Sequence, residues 1–413
     1  MRLPAELAGE GARLDQARSA TAELWQWCQS QHWAGHDPYD ALNSVRLQRW
    51  GVTRWALPRL AATQLLKRLP FDLRGFLEVP PSQNPKGIAL FLSAAVRLCR
   101  LGMVPEREVV NLAKLLLDRR SPHPSHWCWG YNFDWQTRTY LVPRGTPNII
   151  CTTFAANALL DAHDLLGQRG WLDAAESAGR FLFNGLNVTR EGEALCFSYT
   201  PLDRSRIHNA SLLGGALLAR LHLHRPAELF VTGATAVARF AVQRQRPDGS
   251  WPYGETRRQR WIDSFHTGYN LLALDRIHRA LGLGECEPAI RSGYRFFLDY
   301  FFEPDGRAKY FHNRTNPVDI HSVAQALLTL CELAAYDDRS LPTARRVEEW
   351  ALANMRDAGG WFYYQHWGHW INRINYIRWS QAWMLVGLAR FLEVVEAPPE
   401  RLATGVTEVG ASV

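Results

Sequence analysis

Acidic, histidine and tyrosine side chains collect at the starts of apolar helical segments. In RWIDSFHTGYNLLALDRI (260–277), Asp263 and His266 precede apolar residues that recur at helical spacing. Asp263 is the predicted N-cap of this helix and His266 lies in its first turn, while acids, histidines and tyrosines are the side chains that serve in acid–base catalysis. The groups that we predict to be catalytic lie at such starts or in the aromatic stretches before them: Asp263, His266, His208, Asp134, Tyr363 and His321.

Aromatic and hydrogen-bonding residues surround these groups and suit a carbohydrate ligand. Trp accounts for 17 of 413 residues, and indole and phenol rings combine an apolar face with a polar edge. The predicted substrate-binding residues are Trp129, Tyr131, Arg138, Tyr199, Asp203, Arg204, Asn209, Trp261, Tyr269, Asp319, Tyr364, Arg373, Arg378 and Trp379. Each also has a structural interpretation, since an aspartate can cap a helix and a first-turn histidine can bond a neighbouring backbone.

Two kinds of glycan chemistry fit these residue types. Hydrolysis needs two carboxyl groups across the scissile bond, and the candidates are Asp134, Asp203, Glu255, Asp263 and Asp319. A uronate lyase or epimerase instead neutralises the substrate carboxylate and removes the adjacent proton with a Tyr or His. The groups suited to that task are His208, Asn209, His266, Tyr269, His321, Tyr363 and Arg378. The residues alone leave both reactions open.

Other ligand classes are disfavoured. Three histidines occupy related positions more than 50 residues apart, without the local spacing of a metal site, and we predict neither a metal nor a cofactor. No glycine-rich phosphate loop is present, which argues against a nucleotide-sugar transferase with a Rossmann-like core. The formal charge of +7 comes without a dense basic run, so we expect no nucleic-acid partner.

A repeat positions the candidate residues. The His266 pattern returns at Cys151, His208, His321 and Arg378, in steps of 57, 58, 55 and 57 residues. Repeats of this length indicate stacked supersecondary units. Apolar helices are predicted at 87–101, 149–166, 207–222, 264–281, 319–335 and 376–393, each paired with an amphipathic helix.

The predicted fold is all-α: an α/α toroid of about six helical hairpins. Short aromatic β segments are expected at 127–135, 195–201, 249–255, 308–315 and 359–367. Because these segments join outer to inner helices, all of them should lie at one end of the ring, here called the mouth. We place the site there, since a toroid collects residues from every repeat at its mouth.

The repeat also suggests the domain organisation. We predict an N-terminal helical extension (1–80) that packs on the toroid, the toroid itself (81–396) and a flexible tail (397–413). The N-terminus lacks the apolar core of a signal peptide, no apolar run is long enough to span a membrane, and the seven cysteines are scattered. These features predict a cytoplasmic protein without a transmembrane segment. They leave its oligomeric state open.

Two resemblances extend this interpretation. FAVQRQRPDGSW (240–251) is similar to the Gln–Trp motif of terpenoid cyclases and prenyltransferases, in which a helix ends in a Gly turn and an aromatic residue packs back. The acidic DxDD signature of squalene-hopene-type cyclases does not occur in this chain. A terpenoid cyclase-like enzyme therefore remains a minor alternative.

The second resemblance covers residues 85–395. The stretches WGYNFDWQTR, GTPNII, CFSYTPLDRSRIHNASLLG, RWIDSFHTGYNLLALDR, NPVDIHSVAQALLTL and INYIRWSQAWM together resemble the VpsJ-type polysaccharide biosynthesis proteins. The resemblance implies a role in assembling a bacterial exopolysaccharide, capsule or O-antigen, and kinship with six-hairpin glycosidase toroids. It does not define the reaction.

We therefore expect an oligo- or polysaccharide substrate, with an anionic or a lipid-linked glycan both compatible with the sequence. A non-catalytic glycan-binding component of the synthesis machinery is the main alternative to an enzyme.

Overall fold

The architecture is an α/α toroid, as the repeat predicts. A computed structural model describes residues 5–123, 125–137 and 140–397, and helices dominate these ranges. Inner helices form a closed ring in which each packs against the next and the last returns to the first. They are α4 (Pro85–Arg100), α6 (Ile149–Leu166), α8 (His208–His224), α10 (Ser264–Leu281), α12 (Ile320–Glu332) and α14 (Trp383–Val395), the last preceded by a π-helical turn, Ile377–Ala382.

Outer helices lie behind the inner ring. Each of five packs on the inner helix that precedes it in the chain: α5 (Glu106–Asp118), α7 (Arg169–Asn184), α9 (Glu228–Val242), α11 (Glu287–Tyr300) and α13 (Ser340–Asn354). The sixth outer position is filled from the N-terminal region. There α1 (Ala5–Ser30) packs on α14 and buries Leu24, Trp25 and Cys28.

The short elements lie in the connections. Between α1 and α4 come α2 (Val45–Arg49) and α3 (Ala56–Arg68). The strands form antiparallel pairs: β1 (Trp135–Gln136) with β2 (Leu141–Val142), β3 (Val188–Glu191) with β4 (Ala194–Phe197), and β6 (Gln365–His366) with both β5 (Val318–Asp319) and β7 (Ile371–Asn372). The predicted aromatic segments 249–255 and 308–315 form only isolated bridges, and Trp251 in the first of them is buried.

The inner helices begin at the same end of the ring, and side chains cap the first turns of α4, α6, α10 and α12. Asn84 accepts hydrogen bonds from the backbone of Lys86, and Asn148 from that of Cys151. Asp263 and Asp319 do the same for α10 and α12, so the capping role considered for them is present. An N-cap side chain accepts hydrogen bonds from backbone N–H groups that have no partner within the helix. A carboxylate at this position is further stabilised by the positive end of the helix dipole.

Helix α6 is long and apolar enough to cross a membrane by length and composition. It is, however, an inner helix of the ring, and 61% of its residues are buried within the protein. Its apolar character therefore follows from its place in the core, where a helix is surrounded by protein on all sides.

Trp251, in the aromatic segment 249–255, packs in the core. Its ring is buried, and its indole N–H donates to the carbonyl of Ala241 at the end of α9, 2.9 Å away. Gly293 of α11 lies against this ring, and a Cβ added there would be 2.5 Å from Trp251 Cζ3.

We expect Gly293→Ala to lower the free energy of unfolding by about 1–3 kcal/mol, because the added methyl group overpacks the Trp251 ring. Urea denaturation of the two proteins measures this. Gly284→Ala is the matched control, since nothing lies within 4 Å of its added Cβ. Equal stabilities of the two variants would contradict the packing argument.

Candidate active site

An aspartate–histidine pair lies at the start of α10. Asp263 Oδ1 accepts the backbone N–H of His266 at 2.9 Å, and Oδ2 is 2.7 Å from His266 Nδ1. Because a carboxylate accepts hydrogen bonds, this contact places the ring proton on Nδ1 and leaves Nε2 as the acceptor. The carboxylate is enclosed, whereas 21% of the His266 side chain is exposed. His266 Nε2 can therefore exchange a proton with a ligand in the mouth.

An aromatic stack lies over this pair. The rings of Tyr253 and Trp261 are stacked at 4.6 Å with 13° between their planes, and Tyr253 is also 4.6 Å from the His266 ring. Trp261 is 40% exposed, and its indole N–H donates to Asp263 Oδ2 at 3.0 Å. A half-exposed aromatic face beside a histidine offers an apolar platform and a proton-transfer group to the same ligand.

Tyrosine hydroxyls form another part of the mouth. The hydroxyls of Tyr131 and Tyr199 are 3.3 Å apart, and the Arg378 guanidinium lies 5.4 Å from the Tyr131 ring. Burial raises the pKa of both tyrosines above its usual value, and for Tyr131 the nearby Arg378 charge partly opposes this effect. Both hydroxyls are therefore neutral at physiological pH and can donate hydrogen bonds.

Asp319 is fully enclosed by donors. Its carboxylate accepts from Gln365 Nε2 at 2.7 Å, from Trp379 Nε1 at 2.9 Å and from the backbone N–H of His321 at 3.0 Å. Burial raises the pKa of Asp319 to about 6, although the bonds from Gln365 and Trp379 oppose the shift. These contacts hold Trp379 in the wall and leave the carboxylate no exposed surface for a substrate.

His321 lies below the mouth in an aromatic enclosure. Its ring stacks between Phe265 at 4.5 Å and Trp383 at 4.4 Å, and its Nε2 is 2.6 Å from the Tyr269 hydroxyl. Burial lowers the pKa of His321 well below its usual value, with the charges of Lys86 and Arg378 adding to the effect. His321 is thus a neutral core residue, and it fixes the position of Tyr269.

Arg378 is held by a residue that the sequence analysis does not single out. Its Nε and Nη2 donate to the two carboxylate oxygens of Asp37 at 2.6 and 2.9 Å. Both side chains are almost completely buried. A paired guanidinium of this kind has fewer donors left for a substrate carboxylate than the predicted role assumes.

Lys86, at the second position of α4, is the other residue that the sequence analysis misses. Its Nζ lies 4.4 Å from the ring centre of Phe154 and 5.0 Å from that of Trp383. Burial lowers the pKa of Lys86 to about 7, and the Arg378 charge contributes. The predicted helix begins at Gly87 and so excludes Lys86. The signal that could have located it is Asn84, a strong N-cap residue just before an apolar run.

The three repeat-related histidines are not equivalent in space. His208 is the first residue of its helix, His321 the second and His266 the third, so their rings leave the helices in different directions. His208 is 2% exposed and lies 6.0 Å from the Phe240 ring, and burial lowers its pKa to about 4. Only His266 of these three combines a carboxylate partner with solvent exposure.

Several other predicted residues have structural contacts. Trp129 is fully buried and its indole N–H donates to the Leu116 carbonyl at 2.9 Å. Asp203 accepts backbone and hydroxyl hydrogen bonds from Tyr199, Thr200 and Ser205, and so shapes its own turn.

The remaining predicted residues are spread around this region. Tyr363 donates to Asp357 at 2.9 Å, with Arg373 over its ring, and Asp134 accepts from the backbone of Arg144. Tyr364 and Asn209 are buried, Arg204 is exposed, and Arg138 lies outside the described residues. Within the described ranges, no group of three or more His, Cys, Asp or Glu side chains is arranged to hold a metal ion.

Comparisons with known proteins identify the fold. No family model matches the chain, and none of the curated proteins matches it. Among solved structures, cellobiose 2-epimerase from Bacillus thermoamylovorans is 11% identical over 75% of this chain and 88% of that chain, with a TM-score of 0.61. An unsaturated glucuronyl hydrolase specific for heparin is 10% identical over 94% of this chain and 98% of that chain, with a TM-score of 0.62.

A GH76 α-mannanase from Bacteroides thetaiotaomicron is 13% identical over 76% of this chain and 88% of that chain, with a TM-score of 0.57. At these identities the similarity establishes the fold alone. The chain has the six-hairpin, glycosidase-like α/α toroid fold that the sequence analysis predicts.

We expect Asp37→Asn to lower the free energy of unfolding by about 3–5 kcal/mol, because it leaves the buried Arg378 guanidinium without its counter-charge. Urea denaturation measures the change. Glu287→Gln removes one partner of an exposed pair with Arg291, whose side chain is 56% exposed, and should cost less than about 1 kcal/mol. A similar cost for both substitutions would refute a structural role for Asp37.

The lowered pKa of Lys86 should make the stability of the protein depend on pH. The lysine pKa is lowered to about 7 in the folded protein and is about 10.4 in an unfolded chain. Unfolding therefore takes up a proton between these values, and stability rises with pH across this window. We expect Lys86→Met to be more stable than the wild type by about 1–3 kcal/mol near pH 6.5, and this advantage should shrink by about 3 kcal/mol by pH 9.5.

Denaturation curves at both pH values test this expectation. Lys114→Met, at an exposed lysine of α5, is the control and should show no such pH dependence. An advantage of Lys86→Met that stays constant with pH would show that Lys86 is not deprotonated in this window.

Proposed function

We propose that this protein is a carbohydrate-active enzyme that transfers a proton to and from a sugar carbon, as an epimerase, isomerase or uronate lyase does. The observation that carries the proposal is the Asp263–His266 pair, in which the carboxylate holds Nδ1–H and leaves Nε2 open to the mouth. Names among the structural neighbours, including cellobiose 2-epimerase and D-mannose isomerase, are consistent with this class.

The aromatic stack suits a sugar as the ligand. Trp261 presents an exposed face, Tyr253 backs it, and both lie beside the His266 ring. A pyranose ring stacked on Trp261 would turn its apolar C–H face to the indole and bring its edge beside the His266 ring. This arrangement supports recognition of an oligo- or polysaccharide.

The reaction would begin with His266 Nε2 removing a proton from a carbon next to a carbonyl or carboxylate group. Asp263 would stabilise the imidazolium that forms, because its carboxylate stays hydrogen-bonded to Nδ1–H. The electron pair left on carbon would move onto the substrate oxygen, and neutral tyrosine hydroxyls and helix N-termini would stabilise that charge. A neutral tyrosine hydroxyl that protonates the other face gives an epimer, and the imidazolium proton then restores that hydroxyl. Loss of a leaving group at the next carbon, which takes the imidazolium proton, instead gives an unsaturated product.

The two-carboxylate hydrolysis is less well supported. Asp263 is committed to His266 and Trp261, Asp319 is enclosed by three donors, and Glu255 is paired with Arg244 and Arg206. A glycosidase acid and base each need a carboxyl oxygen that faces the glycosidic bond. An isoprenoid cyclase is also disfavoured, since it would require an apolar cavity with one isolated acid rather than a polar mouth.

The biological setting rests on the motif resemblance. We assign the reaction to bacterial polysaccharide biosynthesis on the basis of the stretches shared with VpsJ-type proteins. A cytoplasmic location and a tail at 397–413 remain predictions from the sequence, and residues 398–413 lie outside the described ranges.

The purified protein should be incubated in D₂O with neutral and uronate-containing oligosaccharides. We expect one of two outcomes: deuterium at an inverted carbon centre, seen by NMR, or loss of that C–H signal together with new absorbance near 232 nm (about the wavelength of a conjugated uronate). His266→Gln should reduce the rate by about 10²–10⁴-fold, and Asp263→Asn by at least about tenfold because the preferred tautomer is lost. His163→Gln, at an exposed turn where Nδ1 contacts the Gln168 carbonyl, is the control.

New reducing ends without deuterium exchange or absorbance would show a hydrolase and overturn the proposal. Glycan binding that is unchanged by His266→Gln, with no chemical change in any substrate, would instead support the non-catalytic binding alternative.

A further inference from the structure

Large apolar side chains are concentrated on one exposed part of the surface. Among the described residues, seven of the thirteen exposed large hydrophobic side chains fall within residues 45–76, here called the rim segment. They are Val45 (36% exposed), Trp50 (59%), Trp55 (71%), Leu57 (79%), Leu65 (62%), Phe71 (56%) and Phe76 (59%). Such a concentration of exposed apolar side chains in one segment of a folded protein indicates an interaction surface.

The helix in this segment presents its own apolar stripe outward. Leu57, Ala61, Leu65 and Arg68 follow one another at three- and four-residue intervals on α3 and are all exposed, so they lie on one face. The opposite face buries Thr63 and Leu66. A shallow hollow of about 620 Å³ lies beside the stripe, lined by Val52, Pro58, Ala61, Ala62, Gln64, Leu65 and Arg68.

The same segment has a large excess of basic over acidic residues. It contains seven basic residues, Arg46, Arg49, Arg54, Arg59, Lys67, Arg68 and Arg74, and a single acidic residue, Asp72. The net charge of +6 in these 32 residues compares with +7 for the whole chain. Arg74 is buried in its pairs with Asp40 and Asp72, and Arg46 and Arg49 pair with Glu78 just beyond the segment. Arg49, Arg54 and Arg68 are exposed.

The rim segment adjoins the mouth. Arg59 Nε donates to Gln136 of β1 at 2.7 Å, and the Leu69 carbonyl accepts from Asn372 of β7 at 3.1 Å. Lys67 Nζ donates to the Tyr39 hydroxyl at 2.5 Å, and the Tyr39 ring lies 5.8 Å from Trp379, whose indole is bonded to Asp319. A surface that docks on this segment would therefore lie next to the entrance of the candidate site.

We propose that the rim segment docks the protein on an anionic phospholipid bilayer. Exposed tryptophans, leucines and phenylalanines insert at the level of the lipid headgroups, and arginines around them attract negatively charged lipids. A protein partner would be expected to bring carboxylates to particular arginines, but here the cations are distributed around the apolar patch. Charge and apolar exposure together match a bilayer surface.

Docking in this orientation brings the mouth to the membrane surface. The glycan that enters it would then be one carried on a lipid anchor, with the sugar near Trp261 and the anchor in the bilayer. This identification of the substrate class rests on the proposed function. The docking surface itself does not, since binding to lipid requires no catalysis.

The test is co-sedimentation of the full chain with vesicles of phosphatidylcholine alone and of an equal mixture of phosphatidylcholine and phosphatidylglycerol. We expect binding to the mixed vesicles, weak binding to the neutral ones, and loss of binding at high salt. The triple variant W50S/W55S/L57S should bind at least about tenfold more weakly, because less apolar surface is buried. The triple variant R49Q/R54Q/R68Q should bind about a hundredfold more weakly.

The matched control is L202S/L223S/Y300S, which alters exposed large side chains outside the rim segment (54%, 49% and 48% exposed). This control should bind the vesicles like the wild type. His266→Gln should also bind like the wild type, so a wrong proposal about the reaction can be told apart from a wrong proposal about the docking surface. All positions in the three triple variants are exposed, and circular dichroism should show unchanged folding. The proposal would be overturned if the protein bound neither kind of vesicle, or if the control variant lost as much binding as the rim variants. It would also be overturned if the protein self-associated and W50S/W55S/L57S abolished that association, because the patch would then belong to an interface with a second copy of the chain.

Discussion

A buried ion pair joins two parts of the protein that are 341 residues apart in the chain. Asp37 lies before α2 and Arg378 opens the last inner helix, and their two charge-assisted hydrogen bonds fix the N-terminal region over the ring. Arg74 strengthens this connection by donating to Asp40 at 2.8 Å and to the Asp37 carbonyl at 2.8 Å. Burying charged groups costs desolvation energy that only good geometry offsets. The position of Tyr39, and through it Lys67, depends on this network.

The chemistry of the mouth follows from the direction of the inner helices. Their N-termini converge, so the available carboxylates are drawn into capping and into holding nearby rings. Asp319 caps α12 and fixes Trp379, while Asp263 caps α10 and also orients His266. Of the predicted catalytic residues that are described, His266 alone has both a carboxylate on one ring nitrogen and an open second nitrogen. One proton-transfer group among fixed aromatic and hydroxyl side chains is better suited to isomerisation or elimination than to hydrolysis.

Much of the fold could be predicted from the sequence because it depends on local patterns. Apolar residues at helical spacing and a repeat of nearly constant length located the inner helices to within a few residues, and the predicted range 149–166 coincides with α6. The N-cap role of Asp263 is also local, since the cap and the first turn that it bonds are adjacent in sequence, but its contact with the His266 ring was not predicted. The roles of His208, His321 and Trp129 could not be predicted, because a shift of one or two residues in helix start turns a side chain from the mouth into the core. Asp37 and Lys86 were missed for a different reason: their partners are distant in sequence and become neighbours only when the ring closes.

The pairing of α1 with α14 has a consequence for synthesis on the ribosome. Five hairpins are made of consecutive helices and can form as they emerge, but the sixth joins the first and last described helices. Until α14 has been translated, the apolar side chains of Leu24, Trp25 and Cys28 lack the surface that covers them in the finished ring. Closure must therefore follow release of the C-terminal part of the chain, and the unpaired helix is the part of the nascent protein most exposed to aggregation or to chaperone binding.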